Sequence, residues 1–87
     1  MKYYSTVNDI VMTYSGVQKD REFEYIAVHF ERPNEKGFDF MDLKLPGEFV
    51  TNSFGFSEDE ILDLKNYARD NEALLWEFAR EDGVVNA

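Results

Sequence analysis

FSEDEILDLKNYARDNEALLWEFARE, residues 56–81, carries the clearest structural signal in the chain. Ser57 and Glu60 have the spacing of a capping box, in which each side chain accepts a hydrogen bond from the backbone N–H of the other residue. Phe56 and Ile61 stand where a hydrophobic staple would fix the direction of the first helical turn. Acidic side chains in that turn also lie at the positive end of the helix dipole. The stretch therefore predicts a helix that starts just after Ser57.

Apolar residues recur along this stretch at intervals that place them on one broad helical face. They are Ile61, Leu64, Tyr67, Ala68, Leu74, Leu75, Phe78 and Ala79. Because this register survives across Asp70 and Asn71, the sequence favours one continuous helix over about 58–81, with a kink near Asn71 allowed. The alternative is that Asn71 caps a second helix that begins at Glu72.

The segments before the helix alternate between apolar and polar residues in the manner of β-strands. The predicted strands cover about 2–7, 10–15, 23–32, 38–45 and 49–54, where 2–7 is either a first strand or an aromatic-rich lead-in. Residues 16–22 are polar and are expected to form a hairpin loop, and residues 33–37 are expected to form a turn. Short connections force neighbouring strands to be antiparallel. We therefore predict one α+β domain over 1–87, a two-layer sandwich in which an antiparallel β-meander of three to four strands carries one long C-terminal helix on one face.

Composition restricts the classes of function. The 87 residues include 18 acids and nine bases, and the resulting net charge of −9 disfavours direct binding to nucleic acid or to an anionic membrane. The chain has no cysteine, which removes disulfides and thiolate chemistry and fits a reducing compartment. Because the sequence shows neither a signal-peptide pattern nor an apolar run near the ~20 residues of a membrane-spanning helix, we expect a cytoplasmic protein.

Residues suited to catalysis are few. The single histidine, His29, lies in mid-strand among apolar neighbours, which favours a structural or surface role. Acids such as Asp39 and Asp42 could lie close together, but a two-layer sandwich of this size offers little depth for the cleft that paired-carboxylate chemistry needs. Helix capping accounts for the acids at 58–60 without a cation site. The sequence therefore predicts a protein that is not an enzyme and that needs no metal or cofactor.

Two surface features predict binding to a protein partner, and the first is acidic. On a continuous helix, five carboxylates would fall within roughly 40° of one another on the wheel. They belong to Asp59, Asp63, Asp70, Glu77 and Glu81. Such a ridge could imitate a phosphate backbone and occupy the basic groove of a nucleic-acid enzyme, with an attraction that salt weakens. The alternative is the ordinary charged outer face of an amphipathic helix, which aids solubility.

The second feature is a surplus of aromatic residues. One helix can cover one face of a sheet only, yet the strand at 23–32 is apolar on both sides. Aromatic residues assigned to the uncovered face are Phe23, Tyr25, Phe38 and Phe40. Exposed aromatic residues on one face would form a partner or dimer interface. The alternative is that residues 2–7 and the loops fold over that face.

In composition alone, the chain resembles the small inhibitors that mobile elements use against host nucleases, and this resemblance covers no motif. The leading interpretation is a non-catalytic protein-interaction module that binds a protein partner and can form a homodimer through the uncovered sheet face. The second interpretation is a nucleic-acid-mimicking inhibitor of a DNA- or RNA-binding enzyme, of the anti-restriction or anti-CRISPR type, that uses the acidic helix face. Neither interpretation includes direct contact with nucleic acid or a membrane.

Overall fold

The computed structural model describes residues 1–85, which form six β-strands followed by two α-helices. The strands are β1 (Lys2–Val7), β2 (Ile10–Tyr14), β3 (Gln18–Asp20), β4 (Phe23–Asn34), β5 (Gly37–Leu45) and β6 (Phe49–Phe54). The helices are α1 (Glu58–Asp70) and α2 (Glu72–Val85). The last two residues of the predicted domain, 86–87, lie outside the described part of the chain.

Neighbouring strands pair in antiparallel fashion in the order β1-β2-β4-β5-β6, and β3 pairs with β4 alongside the end of β2. The prediction of an α+β fold with an antiparallel sheet is confirmed. Two finer predictions are wrong, because the sheet has six strands instead of three to four and the helical segment is divided in two.

Strand β3 lies within residues 16–22, where the polar sequence predicted a loop. Ser15 connects β2 to β3 along the same edge of β4: its backbone N–H donates to the Ala27 carbonyl, and its hydroxyl accepts from the Ala27 N–H, both at 2.9 Å. Arg21, in the turn that follows β3, has a φ of 59°. All three residues of β3 are exposed, and its sequence therefore shows no hydrophobic alternation. The pairing of β3 with β4 follows from these connections instead.

Short hairpin turns hold the rest of the sheet in register. Asn8 and Asp9 both have positive φ, at 51° and 65°, as the two-residue turns that suit the twist of a β-hairpin require. The turn predicted at 33–37 is shorter than expected, because Pro33 pairs with Phe38 and only two residues separate β4 from β5.

Alternation along β2, β4 and β5 gives the sheet one buried face. Its buried residues are Met12, Tyr14, Ile26, Val28, Phe30, Met41, Leu43 and Leu45. The helical segment covers them with Phe56, Leu64, Ala68, Leu75 and Ala79. The two layers therefore share one hydrophobic core, and both helices belong to the same side of the sheet.

Helices α1 and α2 meet at Asn71, whose φ of −101° and ψ of 3° depart from helical values. Hydrogen bonding of the helical kind still runs through the break, because Asn71 N–H donates to the Tyr67 carbonyl and Leu75 N–H donates to the Asn71 carbonyl. The Asn71 amide donates to Tyr67 O at 2.8 Å and accepts from the Tyr4 hydroxyl at 2.7 Å. The second helix begins at Glu72, as in the alternative interpretation, but the Asn71 side chain is engaged by Tyr4 and Tyr67 instead of capping it.

Candidate functional site

The face of the sheet opposite the helices is left open by the described residues, and we call it the outer face. Pairing register places seven aromatic side chains on it. Five are largely exposed: Tyr3 (64%), Phe23 (76%), Phe38 (54%), Phe49 (67%) and Phe54 (66%). Tyr25 and Phe40 are half-buried. The suggestion that residues 2–7 fold over this face is wrong, because they form β1 at the edge of the sheet.

All four aromatic residues predicted for the uncovered face lie on the outer face, but they do not form one cluster. Phe23 pairs with Asp20 at one end of β4, and Phe38 pairs with Pro33 near the other end. These ends are ~33 Å apart at about 3.3 Å per residue. The long face therefore has two aromatic ends, separated by a more polar centre.

Phe49 and Phe54 are outer-face residues that the sequence pattern missed. They are five positions apart, so strict alternation would put them on opposite faces of β6. The register of β5 and β6 shifts between Asp42 and Leu43, which leaves Thr51 as the extra residue of a bulge. This bulge brings both phenylalanines to the outer face.

A row of three rings crosses β4, β5 and β6 on the outer face. The Phe40 ring stacks between His29, at 6.4 Å between centroids, and Phe54, at 6.2 Å. Toward the opposite end, the Lys44 ammonium lies 4.5 Å from the centre of the Tyr25 ring. We call His29, Phe40 and Phe54 the ring row. Because each ring is held by a neighbour, the ring row is a preformed surface.

His29 holds two carboxylates at the centre of the outer face. Its Nδ1 lies 2.6 Å from Asp42 Oδ1, and its Nε2 lies 3.2 Å from Glu31 Oε1. A neutral imidazole has one N–H only, so both contacts are hydrogen bonds when the ring is protonated. Burial lowers the pKa of His29, but hydrogen bonds to Asp42 and Glu31 and the charges of both outweigh burial and raise it above 6.5. The protonated ring neutralises part of the acidic charge on this face.

The five predicted acidic residues are all exposed, but they do not lie on the one continuous helix that the sequence favoured. Asp59, Asp63 and Asp70 belong to α1, whereas Glu77 and Glu81 belong to α2 beyond the break. Within residues 1–81, where side chains are described, none of the five takes part in an ion pair. These carboxylates therefore remain free to face a basic partner.

A separate cluster of charged residues joins the sheet to α1. Arg32 donates to Asp39 Oδ2 through Nε at 2.9 Å and through Nη2 at 2.7 Å, and it donates to Glu60 through Nη1. Asn34 donates to the other oxygen of Asp39 at 2.6 Å. Hydrogen bonds from Arg32 and then from the Ser57 backbone lower the pKa of Glu60 to about 2. These contacts attach β4 and β5 to the start of α1.

A cavity of about 290 Å³ opens between α1 and the hairpin of β1 and β2. Val7, Ile10 and Leu64 are among its apolar lining residues, and Asp63 and Tyr67 are among its polar ones. A wider depression of about 480 Å³ lies at the turn between β4 and β5, next to Phe38 and Phe54. Sequence reasoning missed both, because the first lies between segments that are distant along the chain and the second depends on how β6 lies beside the turn between β4 and β5.

Among the described side chains, no group of three or more His, Cys, Asp or Glu residues is placed to hold a metal ion. The helices of residues 1–85 include none that is long and apolar enough to cross a membrane. Comparison of the chain with protein-family models, with curated proteins and with solved structures found no match.

Proposed function

We propose that the protein is a cytoplasmic, non-catalytic protein-interaction module whose binding surface is the outer face. The observation that carries this proposal is the set of five largely exposed aromatic residues on one uncovered face of the sheet. Extended exposed apolar surface is uncommon on monomers and typical of binding sites, and aromatic residues are enriched in interfaces. The lack of cysteine in the chain supports a reducing compartment.

The ring row is the expected energetic centre of this surface. Phe40 is half-buried and stacked on both sides, whereas the adjoining Phe54 ring is 66% exposed. Rings that are already ordered lose little conformational entropy when a partner covers them. A partner that covers Phe54 would therefore gain apolar contact at low entropic cost.

Charge distribution makes a second copy of the chain a suitable partner. Both carboxylates at the centre of the outer face, Glu31 and Asp42, are bound to His29. By contrast, residues 58–85 on the other side of the molecule contain half of the 18 acids. Two outer faces can therefore meet while the most acidic surfaces remain far apart, which reduces the electrostatic repulsion between two chains of net charge −9.

The test replaces one exposed ring on the outer face and one exposed apolar residue elsewhere. Phe54→Ser should weaken association by about 1–3 kcal/mol, or about 5- to 150-fold, as for a buried interface anchor. Leu62→Ser is the matched control, because Leu62 is 55% exposed on α1 and lies on the other layer. Sedimentation over a range of concentrations measures self-association of both variants and of the parent.

If the parent sediments as a monomer at every concentration, the homodimer is excluded and the partner is another protein. Proteins that bind from a host lysate to the parent and to Leu62→Ser, but not to Phe54→Ser, would then identify it. Equal behaviour of Phe54→Ser and Leu62→Ser in both measurements would contradict the proposal. Tyr25→Ser tests the other end of the outer face in the same way.

A second candidate function is inhibition of a nucleic-acid enzyme by mimicry of its substrate. It is favoured by the excess of acids in residues 58–85, which hold nine acids and three bases. It is also favoured by the five exposed carboxylates, which form no ion pair with any side chain that the structure describes. The double variant Asp63→Lys with Glu77→Lys should abolish binding to such an enzyme and remove its salt dependence. Unchanged binding and unchanged salt dependence would exclude mimicry.

A further inference from the structure

The cavity between α1 and the β1–β2 hairpin combines an apolar floor with a polar rim. Its volume is about 290 Å³, near the lower end of the range for ligand pockets. The floor includes Val7, which is 48% exposed, and the half-buried Ile10, whereas the lining residues Met12 and Phe30 are only 1% exposed. On the rim lie the Asp63 carboxylate and Tyr67, whose hydroxyl donates to Ser5 at 3.0 Å. A molecule that enters must therefore bring an apolar body to the floor and a polar group to the rim.

The charges around the cavity select the sign of that polar group. Arg32 lines the cavity, but its guanidinium is occupied by Asp39 and Glu60. Asp63 is exposed, and among the described side chains it has neither an ion pair nor a hydrogen bond. The remaining charge at the cavity is therefore negative, in a molecule whose net charge is −9. A cation is favoured there and an anion is disfavoured.

We propose that this cavity binds the side chain of an arginine residue that a protein partner presents. The aliphatic stem of arginine suits the floor at Val7 and Ile10, as long charged side chains commonly cover apolar surface. Its guanidinium is planar and weakly hydrated, so it can pair with Asp63 and stack on the Tyr67 ring. A lysine ammonium is more strongly hydrated, so it loses more hydration free energy on entering an apolar cavity. This site lies in the helical layer, so the proposal does not depend on the outer face.

The test uses two capped amino acids that differ in charge and hardly in shape. N-acetylarginine amide and its neutral counterpart N-acetylcitrulline amide are titrated into the ¹⁵N-labelled full chain at constant ionic strength. Arginine should shift the amide signals of Ser5, Leu64 and Tyr67, which line the cavity. The dissociation constant of the citrulline compound should be larger by about two- to fivefold or more, the range for one partly exposed ion pair.

Two variants of α1 separate the cavity from the general acidity of the protein. Asp63→Asn should weaken arginine binding by about two- to fivefold. Asp59→Asn removes the same charge one turn earlier on α1, outside the cavity lining, and should leave binding unchanged. Both carboxylates are exposed, so both variants should fold, and the amide spectra report this directly. Phe54→Ser should bind arginine as the parent does, which keeps this test separate from that of the outer face.

Three outcomes would overturn the proposal. Equal affinity for the arginine and citrulline compounds would mean that the cavity does not select charge. Equal weakening in Asp59→Asn and Asp63→Asn would indicate unspecific attraction of a cation to an acidic protein. Absence of shifts at Ser5, Leu64 and Tyr67 would mean that the cavity does not admit the side chain.

Discussion

His29 occupies the centre of the outer face with a carboxylate oxygen at each ring nitrogen, at 2.6 and 3.2 Å. Both contacts are hydrogen bonds only while the ring carries two N–H groups. As the pH rises and the ring loses a proton, one contact becomes a repulsion between lone pairs. The charge of the outer face therefore changes as the pH rises through the raised pKa of His29.

The stability of the protein should fall as the pH rises through the raised pKa of His29. A group whose pKa is higher in the folded than in the unfolded state contributes its full stabilisation below its unfolded value, near 6.5, and loses it above the folded value. We expect a loss below about 1 kcal/mol between pH 6 and pH 9, because the contacting carboxylates are partly exposed. Urea unfolding at several pH values measures this loss.

Two asparagine variants serve as test and control for this pH dependence. Asp42→Asn removes the nearer carboxylate and should reduce the decline in unfolding free energy above pH 6.5. Asp20→Asn removes a charge from the exposed strand β3, away from the His29 contacts, and should keep the parental decline. If the unfolding free energy of Asp42→Asn falls as steeply with rising pH as that of the parent, the His29 contacts are not the cause of the pH dependence.

At the scale of elements, the start of α1 shows how one side chain can serve two purposes. Ser57 Oγ accepts from the Glu60 N–H at 3.1 Å, and the Ser57 N–H donates to Glu60 Oε1 at 2.9 Å. The predicted capping box is therefore confirmed. The other Glu60 oxygen accepts from Arg32 of β4, so the cap that starts the helix also attaches it to the sheet.

Ser57→Ala should lower the free energy of unfolding by about 0.5–2 kcal/mol, because one N-terminal N–H of α1 loses its acceptor. The measurement is urea unfolding against the parent protein. Ser53→Ala changes an exposed serine in β6 and should stay within about 0.5 kcal/mol of the parent. Equal stability of Ser57→Ala and the parent would mean that the box contributes nothing beyond the Glu60–Arg32 contact.

At the scale of the whole molecule, the passage from the last strand to the first helix depends on Gly55. Its φ is 90°, and a Cβ built there would lie 2.0 Å from Asp39 Oδ1. Asp39 in turn holds Arg32, which reaches Glu60 on α1. A side chain at position 55 would therefore disturb the contact between the two layers.

Gly55→Ala and Gly47→Ala form a matched pair that isolates this contact. Gly47 has a similar φ of 94° but has nothing within 4 Å of a built Cβ. Gly47→Ala should therefore lose only about 1–2 kcal/mol for its backbone conformation. Gly55→Ala should lose about 1–3 kcal/mol more, because the Asp39 side chain must move. Equal losses of unfolding free energy in the two variants, measured by urea unfolding, would mean that the Asp39 side chain moves aside without cost.

Sequence alone determined the features that depend on residues close together in the chain. The start of α1 follows from Ser57 and Glu60, which are three residues apart, and the buried face of β4 follows from alternation at Ile26, Val28 and Phe30. Short turns made the sheet antiparallel, because a chain that reverses within a few residues pairs with itself in no other way. The four aromatic residues assigned to the uncovered face lie there because successive residues of β4 and β5 alternate regularly between the two faces of the sheet.

Tertiary structure decided the features that depend on contacts between distant residues. The helix breaks at Asn71, where the Tyr4 hydroxyl, 67 positions earlier, binds its side chain. Phe49 and Phe54 share the outer face because β6 bulges where it pairs with β5, and β3 forms because Ser15 holds the chain against β4. The cavity exists only where α1 stands away from the first hairpin. Apart from Asn71, where the sequence already allowed a kink or a second helix, the local pattern carries no trace of these contacts, because each requires two segments that meet only after the chain has folded.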